Sequence, residues 1–123
     1  MIKLRERLAE ENPKDYDRLF ALVLNNLGSM YRSEGRFAET EPLYNRALIL
    51  RKKLYVENPT DDGCKNKLAT QFYRLGLLFE QMEKQKQAKE SWQQALDIWE
   101  TMDEDSIGNN MEYFEDTRRK MGK

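Results

Sequence analysis

The feature that most constrains this chain is an internal repeat with a period of 48 residues. Leu24-Asn25-Asn26-Leu27-Gly28-Ser29-Met30-Tyr31 returns as Phe72-Tyr73-Arg74-Leu75-Gly76-Leu77-Leu78-Phe79. Tyr44-Asn45-Arg46-Ala47-Leu48 returns as Trp92-Gln93-Gln94-Ala95-Leu96. A fixed period of this size means one supersecondary unit made twice, each burying an apolar face against a neighbour. Within a copy the period is helical. Phe20, Leu24, Leu27 and Tyr31 fall at i, i+4, i+7 and i+11, and Leu68, Phe72, Leu75 and Phe79 repeat that spacing. A second stripe follows in each copy: Leu43, Ala47, Leu50 and Leu54, then Ala88, Trp92, Ala95 and Trp99. The unit is therefore a pair of helices, A and B.

The spacing large-x2-Leu-Gly-x2-aromatic, then small-x3-aromatic-x2-Ala, resembles the tetratricopeptide repeat. The first copy carries it as Leu24, Leu27, Gly28, Tyr31, Thr40, Tyr44 and Ala47; the second as Phe72, Leu75, Gly76, Phe79, Ala88, Trp92 and Ala95. Thr40 departs from the family's alanine. Pro59 comes later after Ala47 than the family's proline, and the second copy has none. The long B helix, with Glu41-Pro42-Leu43-Tyr44 near its start, is similar to the kinesin-light-chain-like subgroup. The resemblance implies an all-α fold: an antiparallel helix-pair solenoid, wound as a right-handed superhelix, of about six helices.

On this reading residues 1–123 form one domain. Residues 1–13 are the tail of a preceding repeat's B helix, since Ile2, Leu4, Leu8 and Ala9 match Leu48, Leu50, Leu54 and Tyr55. That tail is either a piece of a longer array or a shortened cap; the first is favoured. Repeat one covers 15–59, with helices at about 15–33 and 37–57. Repeat two covers 61–102, with its B helix at about 85–101. Asn12-Pro13 and Asn58-Pro59 end helices, because the residue before proline leaves the α region. Pro42 predicts a helix start close before it or a slight bend. Asp103-Glu104-Asp105 and Gly108 form an acidic break. Residues 109–121 make a capping helix with Met111, Phe114 and Met121, and with Arg118 solvating the end of the stack.

The flanks of each A helix differ. Ala21 and Gly28, like Ala69 and Gly76, put small residues on the side that meets the repeat's own B helix. Val23 and Met30, and Leu78 in the second copy, lie on the flank expected to meet the adjacent repeat.

Composition narrows the function. With a net charge of −1 the chain has no electrostatic footprint for nucleic acid or an anionic membrane. Arg51-Lys52-Lys53 reads as a solvated basic run on the outer B helix. No apolar run approaches the roughly 20 residues of a membrane span, and the charged start Lys3-Leu4-Arg5-Glu6-Arg7 does not fit a secretory signal. Cys64 is the single cysteine, which fits a reducing, cytoplasmic setting. There is no histidine, no metal-ligand cluster and no glycine-rich phosphate loop, so no catalytic residue, metal or cofactor is expected. Trp92 is expected in the core; Trp99 lies in the core or under the final helix.

The face opposite the core stripe is not a plain charged surface. On the first A helix it carries Leu22, Asn25, Ser29, Arg32 and Ser33, with Asn26 at its edge. On the second it carries Thr70, Tyr73, Leu77, Glu80 and Gln81, with Arg74 at its edge. The resemblance implies that these faces line a concave groove for an extended peptide or a partner helix. Asn25 would then hydrogen-bond a ligand backbone, Arg32 pair with a carboxylate, and Tyr73 serve as an interface anchor. Clamping a terminal carboxylate with only Arg32 and Arg74 is a weaker version of the same idea. The leading expectation is a non-catalytic scaffold for a protein or peptide partner. The alternative is self-assembly or spacing, with a homo-oligomer formed through the N-terminal edge around Ile2, Leu4 and Leu8.

Overall fold

A computed structural model describes residues 13–122. All regular structure among them is helical. The chain divides into two units, Met1–Glu57 and Asn58–Lys123, each built on one helix pair. The proposed tail of a preceding repeat lies outside the described residues.

In the first unit, α1 (Pro13–Ser33) and α2 (Phe37–Glu57) pack along their lengths. A loop of only three residues joins them, so they run antiparallel. Helix α1 begins at Pro13, where the missing N–H is one of the helix's unpaired donors in any case. It ends in a tight reversal at Gly35, whose φ of 77° belongs to the left-handed region. The Arg36 N–H donates to Tyr31 O at 2.9 Å, completing a glycine-type helix stop. Helix α2 runs through Pro42 and stops at Glu57, just before Asn58-Pro59.

Small residues let the pair close. A β-carbon on Gly28 would lie 2.8 Å from the Tyr44 ring. Ala21, Leu24 and Ala47 are buried, with Phe20, Leu43 and Leu50 packed against them. Thr40 is fully buried; its hydroxyl donates to Arg36 O at 3.0 Å, which satisfies the extra oxygen where the family has alanine.

The second unit pairs α3 (Asp62–Gln81) with α4 (Gln85–Trp99). Asp61 caps α3, accepting from the Cys64 N–H at 3.0 Å. The reversal between the two helices repeats the first unit's geometry with a different residue. Glu83 stands at φ 62°, and the Lys84 N–H donates to Phe79 O at 2.8 Å. Leu68, Ala69, Phe72, Leu75 and Leu78 pack with Ala88, Trp92, Ala95 and Leu96 in the core. The chain then makes a one-turn helix α5 (Glu104–Ile107), a 3-10 turn (Gly108–Asn110) and helix α6 (Met111–Lys120).

Several expectations are corrected. The Asp103-Glu104-Asp105 stretch is not a plain break: it winds into α5 and delivers Ile107 to the core, 2% exposed. Arg51 is not solvated; it is 5% exposed. Leu27 is 36% exposed, although it lies on the predicted stripe. The α1–α2 contact is centred on Ala21, Leu24 and Gly28, and Leu27 lies about 100° round the helix from Gly28. Val23 and Met30 are likewise exposed, whereas Leu78 is fully buried. As expected, Trp92 is buried in the core and Trp99 is buried under the last helix, where it stacks on Phe114 of α6 with ring centroids 5.8 Å apart.

Candidate functional site

The polar face of α1 is built on a helix fixed from behind by α2. Ser29 and Tyr44 share a hydrogen bond of 2.7 Å between their hydroxyls, tying the middle of the face to the buried ring. Asn25, expected on the open face away from the core, is buried instead, 8% exposed. Its Oδ1 is sealed from solvent and accepts no hydrogen bond from the described residues. Ser33 is exposed and donates to Met30 O at 2.7 Å. Leu22 is 46% exposed, Asn26 is exposed, and Arg32 is half-buried in the last turn.

The same helix carries a broad apolar surface. Leu19, Leu22, Val23, Leu27 and Met30 are all exposed. Leu19, Val23, Leu27 and Met30 follow the i, i+4, i+8, i+11 spacing of one helix face, and Leu22 and Asn26 continue it towards Asn25. Over residues 19–30 this face extends roughly 16 Å at 1.5 Å per residue. The spacing is present in the sequence, but the repeat pattern assigns Leu27 to the core stripe and Val23 and Met30 to the inter-repeat flank. Their exposure shows only in the burial. Ile49 and Val56 on α2 are also exposed.

The second A helix presents a different picture. Tyr73 is 7% exposed and is not an open anchor. Its hydroxyl donates to Asp116 Oδ2 of α6 at 2.7 Å, and its ring stacks on Tyr113 with centroids 5.0 Å apart. Burial first, then the bond to Asp116, hold the phenol well above its ordinary pKa. Glu80 accepts from Lys120 Nζ at 3.2 Å, and the same ammonium lies 5.3 Å from the Trp92 ring centroid. Thr70 is half-buried, and its hydroxyl has no hydrogen-bond partner among the described residues. Arg74 and Leu77 are half-buried, and Gln81 is exposed. The twelve expected groove residues therefore do not form one equivalent set. Leu22, Asn25, Asn26, Ser29, Arg32 and Ser33 share α1, while α6 sits on Tyr73 and Glu80.

Sequence reasoning missed the contribution of Tyr113, Asp116 and Lys120. Their i, i+3, i+7 spacing marks one helix face, but only the fold shows that this face meets α3. It also missed Asn66, whose side chain joins two elements. Its amide donates to Ser106 O at 2.8 Å and accepts from Trp99 Nε1 at 3.1 Å. Beside this junction, Trp99, Glu100, Met102, Phe114 and Arg118 line an open pocket of about 330 Å³. Arg118 lies over the Phe114 ring at 5.6 Å, covering apolar surface as well as solvating it. Among the described residues no three acidic or cysteine side chains gather as a metal cluster, and no helix is long and apolar enough to cross a membrane.

Comparison with known families gives two matches, both to the tetratricopeptide repeat: one over residues 20–61 and one over residues 72–98. Neither a curated protein nor a solved structure matches the chain.

Proposed function

Since the chain belongs to the tetratricopeptide repeat family, whose members are generally protein–protein interaction modules, we propose that it is a non-catalytic scaffold holding a partner protein on the open face of α1. The ligand is an extended peptide or a helix. Leu22 and its apolar neighbours supply contact area, Asn26 addresses the ligand backbone beside the buried Asn25, Ser29 and Ser33 line the track, and Arg32 pairs with a carboxylate. The observation that carries this reading is the exposure of Leu19, Leu22, Val23, Leu27 and Met30 on one helix. Contiguous apolar surface of this kind marks interaction sites. The kinesin-light-chain-like form of the repeat, with its long B helix and the Asn25-Asn26 pair, supports an extended peptide as ligand. The lone Cys64 supports a cytoplasmic setting.

Selection of a displayed peptide library on the full chain tests the reading. Binders are expected, and Asn26→Ala with Arg32→Ala is expected to weaken them about tenfold or more, at one hydrogen bond or ion pair per residue. The circular dichroism of the variant should stay unchanged. Binders indifferent to both substitutions would contradict it.

The same exposed stripe supports a second reading, self-assembly. Light scattering over a concentration series separates the two. A mass that stays near the 14.7 kDa of one chain favours the scaffold, and a mass that doubles favours a homo-oligomer.

A further inference from the structure

Helix α6 occupies in cis the A-helix face of the second repeat, and its contacts define what that face recognises. Tyr73 and Glu80 lie at i and i+7 on α3; Tyr113, Asp116 and Lys120 lie at i, i+3 and i+7 on α6. The two sets meet in register. Tyr73 takes the Tyr113 ring on its own ring and the Asp116 carboxylate on its hydroxyl. Two turns further on, Glu80 takes the Lys120 ammonium. The helices therefore run in the same direction along this contact. Recognition is by one aromatic that stacks on a ring, one acid that accepts from a hydroxyl and one base that pairs with a carboxylate.

The seat is also weakly held. Helix α6 has ten residues, too few to be stable alone. Thr117 is its only fully buried residue, and that hydroxyl bonds within the helix, to Tyr113 O at 2.6 Å. Phe114 adds an apolar contact, on Trp99. An element with so little buried apolar surface opens far more readily than the core beneath it.

We propose that the α3 face is a second interaction surface, specific for an amphipathic helix carrying an aromatic, an acid three residues later and a base four after that, and that α6 is its resident competitor. A partner helix with this pattern stacks its aromatic on Tyr73, accepts from the Tyr73 hydroxyl and pairs its base with Glu80. It binds as α6 leaves. The proposal rests on the reading of the A-helix faces as partner surfaces, but involves none of the residues of α1.

The probe is a fluorescent synthetic peptide of residues 104–122, titrated into the full chain. Asp116→Ala with Lys120→Ala in the chain removes the two polar contacts of the cis helix while the peptide keeps them. This variant should bind the peptide about tenfold more tightly than the wild-type chain does, as expected for loss of about one net hydrogen bond. Adding Tyr73→Phe and Glu80→Gln should return binding to the wild-type level. Equal affinity for the wild type and the first variant overturns the proposal, as does binding indifferent to Tyr73→Phe and Glu80→Gln. If the doubly substituted chain does not fold, Tyr73→Phe alone carries the test, since it keeps the ring. Amide exchange in α6 should then quicken about tenfold relative to α3, and unchanged exchange overturns the proposal. Asn26→Ala with Arg32→Ala must leave peptide binding intact, so failure of the α1 reading is seen separately.

Discussion

Gly76 sits against Trp92 so closely that a β-carbon at that position would stand 2.1 Å from the indole Nε1. The ring is 2% exposed and packed on all sides, so it has no room to yield. Gly76→Ala should therefore destabilise the chain by about 1–3 kcal/mol from overpacking, more than the ~1 kcal/mol an alanine adds to helix propensity. Gly28→Ala meets Tyr44 at 2.8 Å and should cost less. Urea unfolding followed by circular dichroism ranks the two.

Glu83 occupies the position that Gly35 fills in the first repeat, with the same left-handed backbone. An L-residue with a β-carbon is strained there by about 1–2 kcal/mol, part of which glycine's larger unfolded-state entropy offsets. Glu83→Gly should raise stability by about 0.5–1 kcal/mol. The side chain is exposed, so no packing is lost. A higher urea midpoint with unchanged slope is the expected result; a lower midpoint would mean that Glu83 makes a compensating contact.

Asn66 links Trp99 to the carbonyl of Ser106. Asn66→Ala removes the partner of both, and each buried orphan costs about 1–3 kcal/mol. Loosening should concentrate at α5 and the 3-10 turn. Hydrogen exchange at residues 104–110 should accelerate more than in α3, and Trp99 fluorescence should shift as the indole loses its acceptor.

Alkaline pH should weaken both units. In the first, Lys53 Nζ donates to Asp17 Oδ2 at 3.0 Å; that bond and the attraction of the carboxylate raise the lysine pKa above 10.5. In the second, burial and the bond to Asp116 raise Tyr73. A folded-state pKa above the unfolded value contributes stability that is complete below the unfolded pKa and is lost as pH rises through the folded one. Tyr73 should ionise above the ordinary phenol range, in step with alkaline unfolding. Phenolate absorbance follows this, and Tyr73→Phe should abolish the late step. Lys53→Gln should flatten the alkaline loss in the first unit.

The helix pairs were legible because their signals are local. Gly28 and Gly76 point to close approach, Gly35 to a helix stop, and the 3.6-residue spacing of Leu24 and Ala47 to buried faces. Tyr73 was not legible, although it occupies the same repeat position as Asn25. Both are buried, Asn25 8% and Tyr73 7% exposed; Tyr73 is held by a helix whose Asp116 lies 43 residues away in the chain, and periodicity carries no information about which face such a helix will choose. Leu27 and Leu75 are also equivalent by repeat, yet one is 36% and the other 3% exposed. The difference lies in what covers each position, not in the residue. Arg51 misled for a related reason: a basic run suggests solvent, but its position on the α2 face places it among buried residues.

The central claim is that the open face of α1 holds the partner. Amide chemical-shift mapping on the full chain, with a peptide selected from the library, tests it most directly. The account predicts that the largest shifts fall within residues 22–33 and saturate with the peptide. Shifts confined to the outer surface of α2 around Ile49 and Val56, with α1 silent, would contradict it.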